Sequence, residues 1–351
     1  SSNPVQSKPK INTFSESDEK NVKAITNKEA REATLSGSDL NTSKVASTYQ
    51  MPPINLLKPR KGALKSSSQR DLEAKVDVLE ETLRSFKVDA KVVQVTQGPA
   101  VTRFEIQPAV GVKVSSIVNL SNDIALNLRA KSIRIEAPIP GKAAVGIEIE
   151  NDHTNMVMLR DIIDTDEFQN AKSKISFAVG KDISGNYQNS IIAKAPHVLI
   201  AGTTGSGKSV FAHSVITTLI MRNSPDELRL ILVDPKRVEM LRYRDLPHLL
   251  CPIITDPFKA KAALDKLVKE MDHRYDLMAS KCVNDIKLYN KIMRNEGGQI
   301  MPTIICFIDE FADLVDNCKD VSKPVSMLGA KSRACGIHVV IATQHPTVNV
   351  V

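Results

Sequence analysis

The chain has 351 residues, 42% of them apolar and 25% charged, with no tryptophan. That composition is normal for a soluble globular protein, and the length allows two ordinary domains plus a tail. The net charge of +7 argues little for nucleic acid, because the first 70 residues hold 12 basic and 6 acidic side chains and the rest is close to neutral.

No run approaches the roughly 18 consecutive apolar residues of a membrane helix, and Ser1–Lys10 lacks the apolar stretch of a secretory signal. With no starting Met either, the chain reads as an excised segment. The five cysteines, at 251, 282, 306, 318 and 335, form no CxxC pair and no zinc-like spacing, so reduced thiols are expected.

Residues 1–69 are rich in Ser, Asn, Thr and Lys and lack a periodic apolar pattern, so they are expected to be a disordered linker. A short apolar patch from Tyr49 to Leu57, interrupted by Pro52-Pro53, suggests an adhesive extended segment. Order is expected from about Asp71, where Leu72, Val76, Leu79, Leu83 and Phe86 make one helix stripe. Strands are expected at Lys91–Thr96 and Val101–Gln107, around a Gly98-Pro99 turn. Phe104 and Ile106 point to one face there, Arg103 and Glu105 to the other. Ser132–Ala137 and Ala144–Ile149 complete a small α+β unit, assigned to residues 70–175.

From residue 176 the pattern changes. Val- and Ile-rich runs at His197–Ala201, Leu228–Val233, Ile304–Ile308 and His338–Ala342 alternate with helical stretches such as Val210–Met221 and Lys259–Ser280. In the latter, Leu264, Leu267, Val268, Met271, Tyr275 and Met278 share a face. Buried strands alternating with helices predict an α/β fold with a parallel sheet covered on both faces.

The first of these strands runs into Gly202-Thr203-Thr204-Gly205-Ser206-Gly207-Lys208-Ser209, a complete GxxxxGK[ST] loop between a strand and a helix. The glycines let successive N–H groups turn inward onto phosphate oxygens, and the helix starting near Lys208 adds its positive end. Lys208 is expected to reach the β- and γ-phosphates of ATP, and the Ser209 hydroxyl to bind Mg²⁺. About a hundred residues on, Ile304–Ile308 ends in Asp309-Glu310. After a phosphate loop, such a pair can hold the Mg²⁺ shell through Asp309 and orient the attacking water through Glu310; alone, it can equally cap the next helix. Thr343 and Gln344 end the following strand, where a polar side chain can sense the γ-phosphate or simply form a turn.

Together these residues resemble the FtsK/SpoIIIE family of hexameric double-stranded DNA translocases. The likeness rests on Pro196–Ala201, Val233-Asp234-Pro235-Lys236, Leu246-Pro247-His248-Leu249, Ile308–Leu314 and Ala334–His338. Gly98–Glu105 and Gly180-Lys181-Asp182 resemble the family's smaller ring-forming domain and the entry to its motor. The resemblance implies a RecA-like P-loop motor over 176–351, cut short at its C-terminal end, that uses ATP and Mg²⁺. It also implies a homo-hexamer ring around duplex DNA, acting in chromosome segregation and cell division. The expected place is the cytoplasmic side of the bacterial inner membrane, with membrane attachment through N-terminal segments absent from this chain. Val210 follows the loop as the family pattern expects. Arg333 is implied as an arginine finger acting on a neighbouring subunit; read alone, it is a solvated helix charge. One departure is His345, where the family usually has Arg, which gives up a phosphate contact to DNA. A conjugative coupling or secretion-type ATPase of the same superfamily remains an alternative, as does a nucleotide-binding fragment without full motor activity.

Overall fold

The computed structural model of the chain describes residues 49–60, 67–192 and 194–346. The expected linker over 1–48 and 61–66 lies outside the described residues, as does the stretch after 346. Chain contacts divide the rest into two units, one holding Tyr49–Ala195 with Ser209–Asn223, the other Pro196–Lys208 with Ser224 onward.

In the first unit, the Tyr49–Leu57 patch is not fully extended, because Ile54–Leu56 forms a single 3₁₀ turn. Arg60 then ion-pairs with Asp161, which ties this segment to the unit. A capping box between Ser68 and Asp71 starts α1 (Gln69–Ser85) two residues ahead of the expected point. Leu79 and Leu83 are fully buried, but Phe86 lies past the helix end and is 47% exposed. Lys87, at φ 60, turns the chain away there and takes Phe86 off the stripe.

Next come β1 (Ala90–Gln97), β2 (Val101–Pro108), α2 (Val114–Asn119), α3 (Ser121–Asn127), β3 (Ile133–Glu136) and β4 (Val145–Glu150). The strands form an antiparallel sheet in the order β1-β2-β4-β3. Phe104, Ile106, Ile117, Ile124 and Ile147 join Leu79 and Leu83 in its core. The opposite face of β2, read as polar, is covered by ion pairs: Arg103 with Glu136 and Glu148, and Lys142 with Glu105. Two short helices, α4 (Leu159–Ile163) and α5 (Asp166–Gln169), lead to the hairpin of β5 (Ser176–Lys181) and β6 (Tyr187–Ile191). Asp182 closes that hairpin by accepting hydrogen bonds from the Ser184 and Asn186 amides. Most of α6 (Lys208–Ile220) is counted with this unit. Its end is held by Arg222 and Asn223, which donate to the carbonyls of Ala171, Ser173 and Lys174.

The second unit contains β7 (Val198–Ala201), β8 (Leu228–Val233), α7 (Pro257–Ser280), α8 (Ile286–Asn295), β9 (Thr303–Ile308), α9 (Phe311–Asn317), α10 (Ser322–Lys331) and β10 (Ile337–Thr343). All four strands are parallel, in the order β7-β10-β9-β8. Every residue of β8 and β10 is buried, as strands covered on both faces require. On one face Ile231, Val233, Cys306, Ile308, Val339 and Ile341 pack with Leu264, Leu267 and Met271 of α7. Asp256 caps α7 by accepting from the Phe258 and Lys259 amides, with Pro257 in its first turn. Toward the other end, the buried Arg274 guanidinium donates to Glu270 and to the carbonyls of Pro302 and Cys335. Before β7, the Pro196 carbonyl meets His338 Nδ1 at 2.8 Å, and the Val339 amide donates to His197 Nδ1 at 3.1 Å. All five thiols are unbridged, and burial pushes the Cys306 thiol up to about 12, which keeps it protonated and inert. No described helix is long and apolar enough to cross a membrane.

Candidate nucleotide site

Because the sheet is parallel, the C-terminal ends of its strands share one edge, where open α/β sheets bind ligands. Ala201, Val233, Ile308 and Thr343 end there, and each leads into a segment with polar side chains.

After β7, the Gly202 amide donates to the Thr343 carbonyl at 3.3 Å, which ties the start of the loop to β10. A Cβ at Gly202 would collide with Ser206 Oγ. Gly205 and Gly207 sit at φ 83 and 94, a conformation that side chains disfavour. Thr203, Thr204 and Ser206 are exposed around this bend. Ser209 is half-buried and Val210 69% exposed in the first turn of α6.

Lys208 points into the site with its side chain only 8% exposed, and its Nζ lies 3.2 Å from Asp309 Oδ1 and 3.6 Å from Glu310 Oε2. Burial pushes the Asp309 carboxyl up despite Lys208, helped by the nearby Asp234 and Glu239 carboxylates. Glu310 goes the other way. Burial opposes its charge, but the Gln344 amide, the Thr343 hydroxyl, Lys208 and Lys236 together hold its carboxyl below the usual range. Both of those hydrogen bonds end on Oε1 at 3.0 Å. Glu310 also occupies the left-handed region, at φ 56 and ψ 71, as the residue before α9. Strain of this kind at a non-glycine residue clusters at functional sites.

Gln344 reaches the loop as well, since Thr204 Oγ1 donates to its side-chain oxygen at 3.2 Å. Lys208, Asp309, Glu310 and Gln344 are thus brought together with the 202–208 loop. Arg333 is not. It is exposed in the turn between α10 and β10, at the opposite end of the seven-residue β10 from Thr343, about 20 Å along the strand. His345 is exposed beside the site, with its amide donating to Thr343 Oγ1.

Val233-Asp234-Pro235-Lys236 carries no motif that announces a role in the site. Asp234 is fully buried at the end of β8, and its Oδ2 accepts from the Glu239 and Met240 amides. This bond closes a tight loop that projects Lys236 to 3.4 Å from both Glu310 Oε2 and Asp313 Oδ2. The signal available in sequence was a polar segment directly after a buried strand; its place beside Asp309-Glu310 follows only from the strand order.

The residues present fit a nucleotide with a divalent ion. The glycines leave space that a Cβ would fill, Lys208 supplies a buried cation, and Asp309 supplies an oxygen ligand next to it. No group of three or more His, Cys, Asp or Glu among the described residues is placed to hold a metal, so an ion here would draw its other ligands from phosphate and water.

The chain is similar to known proteins along most of its length. Residues 158–348 match the model of the FtsK/SpoIIIE family, and residues 51–151 that of the FtsK alpha domain. DNA translocase FtsK of Clostridium tetani (strain Massachusetts / E88) is 50% identical over 306 residues, 86% of this chain and 41% of that protein. DNA translocase FtsK of Campylobacter jejuni subsp. jejuni serotype O:2 is 47% identical over 304 residues, 86% of this chain and 32% of that protein. The chain therefore spans less than half the length of these curated relatives. A solved structure of the pCW3 conjugation coupling protein TcpA, monomer form with ATPγS, is similar at 22% identity with a TM-score of 0.49, covering 79% of each chain. The cytoplasmic domain of the Thermomonospora curvata Type VII secretion ATPase EccC is similar at 27% identity with a TM-score of 0.48, covering 56% of this chain and 25% of that one. Structural likeness at that level carries no functional argument. The two family matches fall on the two kinds of sheet described above, and the chain belongs to the FtsK/SpoIIIE family.

Proposed function

We propose that this chain carries the ATP-hydrolysing motor of a double-stranded DNA translocase acting in chromosome segregation at cell division, on the cytoplasmic side of the inner membrane. The observation that carries the reading is the meeting of Lys208, Asp309 and Glu310 at the C-terminal edge of a parallel sheet. Relatives bearing the name DNA translocase support the cargo; the nearly neutral charge beyond residue 70 does not supply it.

In this reading residues 202–210 wrap the phosphates of ATP and Lys208 binds the β- and γ-oxygens. Ser209 and Asp309 hold Mg²⁺, which neutralises developing phosphate charge when bound. Glu310 orients and activates the attacking water, and Gln344 reports the state of the γ-phosphate through Thr204 and Glu310. Arg333, placed away from its own loop, acts on a neighbour's nucleotide within a homo-hexamer. The test is turnover by the full-length protein with and without duplex DNA. Equal rates would sink the translocase reading, and stronger competition by single strands or unfolded peptide would favour a coupling or secretion ATPase instead.

A further inference from the structure

The loop after β8 has no task in the scheme above, yet it places a cation on the water-activating carboxylate. Lys236 Nζ is 3.4 Å from Glu310 Oε2 and 3.4 Å from Asp313 Oδ2. The loop that carries it is built to hold one shape. Its start and end are joined by the Asp234 carboxylate, which accepts from the Glu239 and Met240 amides. Between them Arg237 takes a left-handed conformation at φ 57 and donates its amide to the Asp234 carbonyl at 3.2 Å.

The two oxygens of Glu310 have different partners. Oε1 is held by neutral donors, Thr343 Oγ1 and the Gln344 amide, both from the end of β10. Among the described residues, Oε2 meets two lysines, Lys208 and Lys236. Lys208 is the group that a bound triphosphate draws away. From then on Lys236 is what fixes the Oε2 side of the carboxylate.

We propose that Lys236 is a positioning residue for hydrolysis, holding the Glu310 carboxylate at the angle from which it can orient the attacking water once Lys208 has moved to phosphate. This rests on the reading of Glu310 as the water-activating group. Among the described residues, the hydrogen bonds and ion pairs of Lys236 run to Glu310 and Asp313 and not to the 202–208 loop, so it is not assigned to nucleotide binding. A carboxylate released to swing by about an ångström loses in-line geometry, an effect of up to about a hundredfold in rate.

The experiment uses the full-length protein and four variants: Lys236→Met, Lys236→Arg, Glu310→Gln and the double variant Lys236→Met/Glu310→Gln. Lys236 is half-exposed, so its replacement leaves the core intact. Lys236→Met is expected to lower kcat roughly ten- to a hundredfold while the Kd for a non-hydrolysable ATP analogue stays at the wild-type value. Lys236→Arg is expected to restore most of the rate, because it returns a cation to the same place. In single-turnover hydrolysis the double variant is expected to match Glu310→Gln alone, since a residue acting through Glu310 has nothing left to act on. Wild-type kcat in Lys236→Met, weakened analogue binding, no rescue by Arg, or a further loss in the double variant would each overturn the proposal. Wild-type turnover in Glu310→Gln marks a different failure, that of the water-activating reading itself.

Discussion

Lys208 Nζ lies 3.2 Å from Asp309 Oδ1, so the phosphate-loop lysine after β7 is already paired with the acid after β9, across the intervening β10. In the proposed function, nucleotide binding at this site would be an exchange of partners: Lys208 would give up Asp309 and Glu310 for phosphate oxygens, and Asp309 would be freed for a divalent ion. Lys208→Ala is expected to abolish nucleotide binding, measured by calorimetry with ATP and Mg²⁺. Because it leaves Asp309 buried without its cation, it is also expected to lower stability by about 3 kcal/mol in urea unfolding, an upper figure that protonation of Asp309 reduces.

Glu310→Gln keeps the shape of the side chain and its hydrogen bond from the Thr343 hydroxyl but removes the charge. Nucleotide is expected to bind and remain unhydrolysed, with the rate reduced by about 10² to 10⁴. Quantifying bound ATP and ADP after gel filtration checks this. ADP at wild-type levels would contradict it.

Gly205→Ala puts a Cβ on a residue held at φ 83, which costs about 1–2 kcal/mol. Nothing lies within 4 Å of the added atom, so the cost is conformational rather than steric. ATP affinity is expected to fall about tenfold with little change in the unfolding midpoint, since the strained loop can relax when no phosphate is bound. Titration calorimetry paired with thermal melts separates these two effects.

Arg333→Ala removes a side chain that is exposed and distant from its own phosphate loop. Nucleotide affinity of the isolated chain is expected to be unchanged, while turnover in the assembled ring falls by about 10³ or more. Loss of affinity in the isolated chain would show that Arg333 serves its own site.

Acid is expected to destabilise the second unit through its histidines. His338 is 2% exposed, and burial, with His197, Arg274 and Arg333 nearby, lowers it from 6.5 to about 4, against the bond to Pro196. The unfolded chain takes up this proton below pH 6.5 and the folded one only near pH 4. Stability is therefore fully present above pH 6.5 and is lost between those values, on the order of 3 kcal/mol. His197 is lowered by burial as well and adds in the same direction. Urea midpoints at pH 7 and pH 4.5, for the wild type and for His338→Gln, read the difference. An equal drop in both proteins would remove His338 as the cause.

The parallel strands were legible because each is an apolar run with no alternation, and only a sheet covered on both faces takes such runs. Leu228–Val233 was placed to the residue. The phosphate loop and the acids after β9 were legible because their spacing is fixed by chemistry. The short helices α2 to α5 and the β5–β6 hairpin were not, since four to seven residues show no period. Phe86 fitted the helix stripe in sequence, but a left-handed Lys87 ends the helix before it. Lys236 shows the deeper reason. Its meaning depends on β8 lying beside β9, and strand order is a tertiary fact that the residues of either strand do not contain. The ionic cover on β2 was hidden in the same way, because Arg103 finds Glu136 and Glu148 only after β4 and β3 have added to the sheet.

Helix α7 is 24 residues long, about 36 Å. It starts at Asp256, just after Ile254 joins the end of β8. Its other half is gripped where Arg274 bonds the Cys335 carbonyl and Tyr275 bonds the Lys331 carbonyl, on either side of Arg333. A rod pinned at both ends carries displacement without slack. Over about 36 Å, a few degrees of tilt at one end would displace the other by about an ångström or two. In the proposed ring, such a tilt would couple the nucleotide edge of one chain to the Arg333 turn that serves the next, and timing would be set by the stiffness of one helix.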